Sequence, residues 1–321
     1  MNSERSITWL HRLRRWANAG LGGLGFALVR SGTPLWRRGA KVVDTTIGRF
    51  HLQVPSSNPL STLYSRHPQT SAYIGRLAGV LLKKYPQLAG IDIGANVGDT
   101  AAIIKTAADI PLICIEGDDY TFGFLEKNLA GLRAVTGHQR LLGERTGTIQ
   151  ATIEKSGWNL TIKPEQTAGS QPLEMITLDD FLAGRPGLEK IKLLKIDTEG
   201  FDCAILRGAL KFIRQSRPAI TFEYNRENMD AIGEKGLDTL TQLGDLGYHH
   251  AVLHDPYGRF ICAATLENAE LIRDLHEYAD GRNGNIYYYD ITLLHAEDAD
   301  VAQVFVAGER RLRAATSTLA T

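Results

Sequence analysis

The fold of this chain is decided by the stretch Gly90-Ile-Asp-Ile-Gly-Ala-Asn-Val-Gly-Asp-Thr100. The apolar run Ile91–Ile93 predicts a short strand, and residues 100–108 are rich in Ala and Ile without Gly or Pro, which predicts a helix. Upstream, the amphipathic residues 73–84 predict another helix. A strand that runs through a glycine-containing turn into a helix opens a nucleotide-binding α/β half-domain. We therefore predict an α/β fold whose ligand lies beside this turn.

The residues of the turn exclude two common phosphate-binding signatures. The dinucleotide fingerprint needs a second glycine where Asn96 stands, and a P-loop needs a lysine where Asp99 stands. Gly94 and Gly98 lack a Cβ, so they let the backbone turn sharply and approach a ligand closely. The N–H groups at the start of the next helix, near Thr100, would face an anionic group such as a carboxylate. The turn favours a small zwitterionic adenosyl ligand, although glycine-rich turns at βα junctions also serve packing alone.

A second apolar strand, Leu112–Ile115, ends at Glu116, which lies 24 residues beyond Asp92. An acid at the end of the second strand, about 20 residues past the glycine turn, typically binds ribose hydroxyls. A carboxylate can accept both hydroxyl hydrogen bonds of a vicinal diol. The alternative is that Glu116 only begins an acidic turn; the spacing favours the ribose role.

Charged residues also crowd the ends of two later strands. Lys195, Asp197 and Glu199 follow or end a predicted central strand, residues 193–196, and Glu223 ends a fourth predicted strand. In open α/β sheets the ligand lies outside the carboxyl ends of the strands. These side chains are therefore candidate functional groups.

Three blocks of the sequence, taken in order, resemble the FkbM family of S-adenosylmethionine-dependent methyltransferases. They are residues 91–100, Thr177-Leu-Asp-Asp-Phe-Leu182 and Leu194-Lys-Ile-Asp-Thr-Glu-Gly200. The resemblance covers about residues 90–222, with an extension to about residue 295. It implies a class I, Rossmann-like methyltransferase fold with a mostly parallel central sheet and helices on both faces. The chain departs from the family at Gly117, where a proline more often follows the acid.

The resemblance also implies an activity: transfer of a methyl group from S-adenosylmethionine to a hydroxyl of a sugar, a glycan or a small natural product. An alcohol must lose its proton during this reaction, so a base is expected within hydrogen-bond reach. Asp197 is the first candidate for this catalytic base, and Glu199 and Glu223 are the alternatives. Asp197 could instead orient the cofactor or cap a helix. No metal requirement is indicated, although a carboxylate cluster can hold Mg²⁺.

Eight residues are predicted to bind the cofactor. Asp92 is expected to position the cofactor's amino group through water or loop N–H groups, and a predicted third strand, residues 138–142, leads to two further candidates. The full predicted set is Asp92, Gly94, Asn96, Gly98, Thr100, Glu116, Gly143 and Glu144.

Two other functions compete with this hypothesis. One is a non-catalytic scaffold that binds an adenosyl ligand or is tethered to a membrane. The other is a nicotinamide oxidoreductase, which the missing middle glycine disfavours.

The composition limits the class of protein. The chain has 321 residues, 43% of them hydrophobic and 22% charged, which suits one large α/β domain with extensions. Its formal net charge is zero, which argues against a general nucleic-acid-binding protein. The three cysteines are far apart and lack metal-ligand spacing, which fits a reducing cytoplasm.

The charge is unevenly distributed, because residues 1–41 carry eight basic residues and one acidic residue. The apolar run between Arg15 and Arg30 is too short and glycine-rich to span a membrane, and no signal-peptidase site follows it. This segment could lie on the inner face of an anionic membrane with Trp16 and Phe26 inserted, or pack on the domain. The packed or partly disordered state is slightly favoured. We divide the chain into a basic extension (1–45), a methyltransferase domain (46–308) and a disordered tail (309–321).

Further elements complete the expected domain. Residues 248–253 and 259–264 predict a C-terminal antiparallel hairpin around Asp255-Pro-Tyr-Gly258, followed by a helix over 267–279 and a strand over 286–294. Residues 146–162 predict a β insertion in which Trp158 and Asn159 either touch the substrate or belong to a surface hairpin. Three histidines, His249, His250 and His254, are interpreted as structural or surface residues, since strand spacing keeps the last two too far apart to bind one metal ion.

Overall fold

A computed structural model describes residues 42–56, 58–156, 159–164, 170–279 and 286–318. The predictions for residues 1–41, for Trp158 and for the side chain of Asn159 lie outside the described part. Residues 41–321 form one compact unit. Its first strand spans Val42–Ile47, so the predicted domain boundary at residue 46 is wrong by about one strand.

Fourteen strands are present in the described residues. They are β1 (Val42–Ile47), β2 (Phe50–Pro55), β3 (Ala89–Ile93), β4 (Leu112–Glu116), β5 (Val135–Gln139), β6 (Leu141–Leu142), β7 (Gly147–Ser156), β8 (Asn159–Pro164), β9 (Gln171–Ile176), β10 (Ile191–Ile196), β11 (Ala219–Tyr224), β12 (Tyr248–His254), β13 (Phe260–Thr265) and β14 (Tyr289–His295).

Eleven α-helices accompany these strands in the same part of the chain. They are α1 (Leu60–Arg66), α2 (Ala72–Lys84), α3 (Asp99–Ala107), α4 (Asp119–Leu129), α5 (Leu178–Leu182), α6 (Asp202–Arg207), α7 (Leu210–Ser216), α8 (Arg226–Ala231), α9 (Gly236–Asp245), α10 (Ala269–Tyr278) and α11 (Ala299–Thr318). Short 3₁₀ turns span Leu188–Lys190 and Ala296–Asp298.

Eight strands form the central sheet, in the order β13-β12-β14-β11-β10-β3-β4-β5. The five strands from β11 to β5 are parallel to one another. Strand β14 runs antiparallel to both of its neighbours, β11 and β12, so β12 again points along the parallel strands. The predicted β12–β13 hairpin is confirmed. The sheet is therefore mostly parallel, and its C-terminal part folds back so that β14 separates β11 from β12.

Helices cover both faces of this sheet, as predicted. Leu77 of α2 and Phe305 of α11 belong to the apolar cluster on one side of the sheet. Leu206 of α6 and Phe212 of α7 belong to the cluster on the other side. Parallel strands in such a sheet are buried on both faces, and every residue of β10 except Lys192 is buried.

The predicted β insertion forms a second sheet of four strands, in the order β6-β9-β7-β8. The strand expected over residues 138–142 is divided at Arg140: β5 joins the central sheet and β6 joins the second one. The sequence after Gly200 predicts one helix over residues 202–213, and the structure likewise divides it into α6 and α7. The break lies at Gly208, where a Cβ would stand 2.2 Å from the carbonyl oxygen of Gly143.

The prediction of a disordered tail is wrong for residues 309–318, because α11 continues to Thr318. Val301, Phe305 and Glu309 recur every four residues, and all three are buried. Glu309 is tolerated there because Arg76 of α2 donates two hydrogen bonds to its carboxylate, of 2.6 and 2.7 Å. None of the described helices is long and apolar enough to span a membrane.

Candidate active site

A cavity of about 310 Å³ opens at the carboxyl ends of β3, β4, β10 and β11. Its opposite wall comes from β14, from the turn between β12 and β13, and from the loop between α1 and α2. Seven carboxylate side chains line it against two basic ones, Arg140 and Lys195. The cavity therefore has a negative potential that favours a cationic or neutral ligand.

The glycine turn after β3 forms one side of the cavity, and Gly94, Asn96 and Thr100 line it. Gly94 has a φ of 68°, and a Cβ on it would lie 1.8 Å from the carbonyl oxygen of Asp197. Gly98 has a φ of 93°, and its missing Cβ makes room for Leu125. The two glycines are thus required by the close approach of neighbouring chain segments, whereas the sequence suggested the approach of a ligand.

Glu116 lies at the end of β4 and lines the cavity, as its predicted role requires. Its two carboxylate oxygens accept hydrogen bonds from the backbone N–H groups of Asn96 (3.0 Å) and Asp118 (2.8 Å). Burial raises the pKa of Glu116 to about 7, although these two hydrogen bonds work in the opposite direction. The carboxylate is therefore held in one orientation by the turn and by the following loop.

Lys195 connects the glycine turn to the end of β10. Its ammonium group contacts Asp92 at 3.1 Å, the carbonyl oxygen of Gly94 at 3.0 Å and Asp197 at 3.7 Å. Burial lowers the pKa of Lys195, but Asp92 and Asp197 more than compensate, so the net shift is upward. Asp92 is fully buried beneath this lysine and does not line the cavity, and burial raises its pKa to about 6. Asp92 therefore contacts the site only through Lys195.

The three predicted catalytic carboxylates, Asp197, Glu199 and Glu223, all line the cavity. Glu199 has a φ of 55°, a conformation that non-glycine residues seldom adopt and that is enriched at functional sites. Asn228 donates to it at 2.9 Å, and burial raises its pKa to about 8. Asp197 is 47% exposed. The turn after β10 is closed by Asp202, which accepts hydrogen bonds from the backbone and hydroxyl of Thr198.

Four of the eight predicted cofactor-binding residues do not line the cavity: Asp92 and Gly98, described above, and also Gly143 and Glu144. Gly143 packs against Met175 and Gly208. Glu144 forms an ion pair of 2.9 Å with Arg207. They were singled out because the third strand was expected to run unbroken to them, whereas β6 turns into the second sheet.

Sequence reasoning missed several residues of the site. Asp99, whose carboxylate accepts a 2.7 Å hydrogen bond from Tyr64, was used only to exclude a P-loop. Asp290 on β14, Tyr257 in the β12–β13 turn and Tyr287 also line the cavity, and no sequence motif marks them. Among the described residues, no group of three or more His, Cys, Asp or Glu side chains is arranged to hold a metal ion.

The sheet order and a ligand cavity at the carboxyl ends of the parallel strands define a class I methyltransferase fold, whose members use S-adenosylmethionine. Comparison of the sequence with protein families specifies the type: residues 92–249 match the methyltransferase FkbM domain. Residues 92–249, just under half of the chain, are therefore similar to the FkbM methyltransferase domain. No curated protein matches the sequence.

Similar solved structures share little sequence with this chain. The FkbM methyltransferase from Methylobacillus flagellatus KT has 18% identity and a TM-score of 0.36, over 56% of this chain and 43% of that one, so the match spans less than half of that protein. Pyrococcus horikoshii TYW2 in complex with MeSAdo has 13% identity and a TM-score of 0.41, over 88% and 83% of the two chains. A putative O-methyltransferase from Klebsiella pneumoniae has 12% identity and a TM-score of 0.37, over 69% and 80%.

Proposed function

We propose that this chain is an O-methyltransferase that acts on a hydroxyl group of a sugar, a glycan or a small natural product. The observation that carries the proposal is the continuity of one cavity. It joins Glu116, at the cofactor end, to a group of carboxylates that includes Asp197, Glu199 and Glu223. A cofactor site and candidate bases for an alcohol therefore share one space.

The residues at the cofactor end fit S-adenosylmethionine. Each oxygen of Glu116 already accepts one backbone N–H and keeps a further acceptor site, so the carboxylate can receive the two ribose hydroxyls. The negative lining suits a sulfonium cation. Asp92 would act on this end by holding Lys195, and through it the carbonyl of Gly94. When bound, the cofactor supplies an electrophilic methyl group.

The other end of the cavity suits a hydroxyl acceptor. Burial raises the pKa of Glu199 to about 8, and a base with a pKa near the working pH is the most effective in proton transfer. Tyr257 and Tyr287 offer aromatic surface beside these acids, and flat apolar faces of this kind can pack on a sugar ring. The excess of carboxylates disfavours phosphorylated acceptors and nucleic acids. Contact of residues 1–41 with a membrane surface remains a prediction.

Calorimetric titration with S-adenosylmethionine tests the cofactor end. We expect Glu116→Ala to weaken binding by about 10- to 100-fold, because two hydrogen bonds to a charged group are lost. The control is Glu126→Ala on the exposed face of α4, which should bind as the wild type does. Equal affinity for all three proteins would refute the role of Glu116.

The acceptor end is tested by release of S-adenosylhomocysteine in the presence of neutral sugars and polyols. Turnover by the wild type and by the control Glu126→Ala would support the proposed O-methyltransferase function. Binding of the cofactor by the wild type, with no turnover on any hydroxyl acceptor, would favour the scaffold hypothesis instead.

A further inference from the structure

Two carboxylates of the cavity face each other across neighbouring strands. In the antiparallel pair of β11 and β14, Glu223 stands directly opposite Asp290, and both side chains line the cavity. Directly opposite residues place their Cβ atoms about 4.5–5.5 Å apart on one face of the sheet, where two like charges destabilise it. Two acids in this arrangement do not both ionise easily, because the second charge would oppose the first.

A chain of buried hydroxyl groups ends at one member of this pair. Thr292 on β14 donates to Thr221 on β11 at 3.2 Å, and the Thr221 hydroxyl lies 3.3 Å from that of Tyr73. Because Thr221 accepts from Thr292, its own proton is free for the oxygen of Tyr73. The Tyr73 hydroxyl also lies near the carboxylate of Asp290 and favours its ionised form. When Thr221 donates to Tyr73, the proton of the Tyr73 hydroxyl is left for Asp290.

The aromatic ring of Tyr73 is held in place by packing on one of its faces. The imidazole of His254 stacks on it, with ring centroids 4.0 Å apart and planes 11° from parallel. Glu309 of α11 holds His254 at 3.1 Å and is itself bound by Arg76. The hydroxyl of Tyr73 is thus aimed by packing that extends to the far side of α2. Glu223, by contrast, receives the amide of Asn225 at 3.2 Å.

We propose that Asp290 is the base that removes the proton of the acceptor hydroxyl, that Glu223 opposite it is the protonated partner, and that Tyr73 is the positioning residue for Asp290. In this step the acceptor O–H bond breaks and its proton passes to a carboxylate oxygen of Asp290. The acceptor oxygen bonds to the methyl carbon, and the electron pair of the broken carbon–sulfur bond stays on sulfur. The proposal rests on the O-methyltransferase function given above.

The electrostatic surroundings agree with this division of roles. Burial raises the pKa of Asp290 to about 8, with Asp197 and Asp202 acting in the same direction and with Tyr73 and Lys195 opposing. Burial raises the pKa of Glu223 well above its usual value, and four carboxylates add to the effect: Asp197, Glu199, Asp202 and Asp290. Both carboxyl groups therefore resist ionisation, and the Tyr73 hydroxyl and the Lys195 ammonium group ease the ionisation of Asp290.

Two variants with matched controls test the proposal in the full-length protein. Asp290→Asn removes the base without changing the shape of the side chain. Tyr73→Phe keeps the ring on His254 and removes the donor. The control Asp298→Asn changes another buried aspartate, which accepts a tyrosine hydroxyl at 2.6 Å away from the cavity. The control Tyr248→Phe removes a buried hydroxyl that bonds only a backbone carbonyl in the described contacts.

The first readout is S-adenosylhomocysteine release with neutral monosaccharides and glycerol, alongside calorimetric affinity for S-adenosylmethionine. We expect Asp290→Asn to lower kcat by about 100-fold or more and to leave cofactor affinity within about threefold, as general-base removal requires. Tyr73→Phe should move the acidic limb of the kcat/KM profile to higher pH, because loss of its hydrogen bond raises the pKa of Asp290 further. Loss of less than about threefold in kcat for Asp290→Asn would overturn the proposal.

The second readout needs no acceptor. In protein labelled with ¹³C at the carboxyl groups, the signal of Asp290 is assigned by its loss in Asp290→Asn and followed by NMR as the pH rises. We expect its midpoint to lie below that of Glu223 and to rise in Tyr73→Phe but not in Tyr248→Phe. An Asp290 midpoint that Tyr73→Phe does not move would overturn the proposal. Failure of the wild type to bind S-adenosylmethionine would instead overturn the proposed function.

Discussion

Two buried carboxylate sites lie on either side of the Tyr73–His254 stack, and they differ in whether a cation accompanies them. Glu309 is 2% exposed, and Arg76 and His254 bind it, so its pKa falls to about 2 in spite of its burial. Glu223 and Asp290 face each other, and burial raises both of their pKa values. A paired buried acid holds the fold together, whereas opposed buried acids cost stability and are typical of functional sites.

The largest expected effect comes from breaking the paired site. Glu309→Gln keeps the shape of the side chain but leaves Arg76 without its carboxylate. Arg76 is 32% exposed, so part of the loss is screened by water. We expect the free energy of unfolding to fall by about 3 kcal/mol, the low end for removal of one partner of a buried ion pair. Urea denaturation measures it, with the exposed Glu126→Gln as control; a loss below about 1 kcal/mol would contradict the comparison.

Acid should remove the same stabilisation in the wild type. The pKa of Glu309 is lowered from 4.5 to about 2, so its contribution is complete above pH 4.5 and is lost as the pH falls towards 2. A shift of this size corresponds to about 3 kcal/mol. The difference in Tm between wild type and Glu309→Gln should therefore shrink steadily from pH 5 to pH 2, and a constant difference over that range would refute the assignment.

At the site formed by Glu223 and Asp290, stability should change with pH in the opposite direction. The pKa of Glu223 is raised in the folded state, so the fold is stabilised when this side chain is protonated. This stabilisation is complete below the unfolded-state pKa of 4.5 and is lost as the pH rises towards the folded-state pKa. Replacing the ionisable group by an amide removes this loss. We expect Glu223→Gln to gain about 0.5–2 kcal/mol at pH 8 and nothing at pH 4. Destabilisation at pH 8 would show that Glu223 is paired in solution.

The smallest expected effect belongs to an ion pair on the surface. Arg217 and Glu297 contact each other, and both are about half exposed. Water and salt screen such a pair, so Arg217→Ala should change the free energy of unfolding by no more than about 0.5 kcal/mol. If thermal denaturation showed a larger loss of stability, an exposed ion pair would stabilise the fold as well as a buried one. Burial would then not be needed to explain the stabilisation that Glu309 provides.

The cofactor half of the site could be predicted because its parts are adjacent in sequence. The strand, the glycine turn, the helix and Glu116 all lie within residues 90–116, and local patterning places each of them. The β10 block is equally local, so Asp197 and Glu199 were identified from the strand that precedes them. Both groups line the cavity.

The acceptor half could not be predicted in this way. Asp290 lies opposite Glu223 only because β14 inserts between β11 and β12. A pattern of apolar residues predicts that a strand exists, but it does not predict which strands lie beside it. Tyr73 appeared as one more apolar residue of an amphipathic helix. Its hydroxyl acquires a role through Thr221, 148 residues away, and through Asp290.

Two differences between the sequence-based predictions and the structure have related causes. Gly143 and Glu144 were placed in the cofactor set on the assumption that one run of β residues belongs to one sheet, whereas the chain changes sheets at Arg140. The tail was judged by its scarcity of large apolar residues. Its helix is anchored in part by an acid, Glu309, whose partner Arg76 lies 233 residues earlier. In both cases the structure of the segment depends on a partner that lies far away in the sequence.

The position of β14 has a consequence for how the protein is made. This strand lies inside the central sheet, yet residues 289–295 are synthesised after every other strand of that sheet. Until they emerge from the ribosome, the facing edges of β11 and β12 are open and offer unpaired backbone groups to other chains. The wall of the cavity that carries Asp290 is also missing at that stage. The nascent chain can therefore form its parallel core first, and the cavity is completed only when β14 enters the sheet.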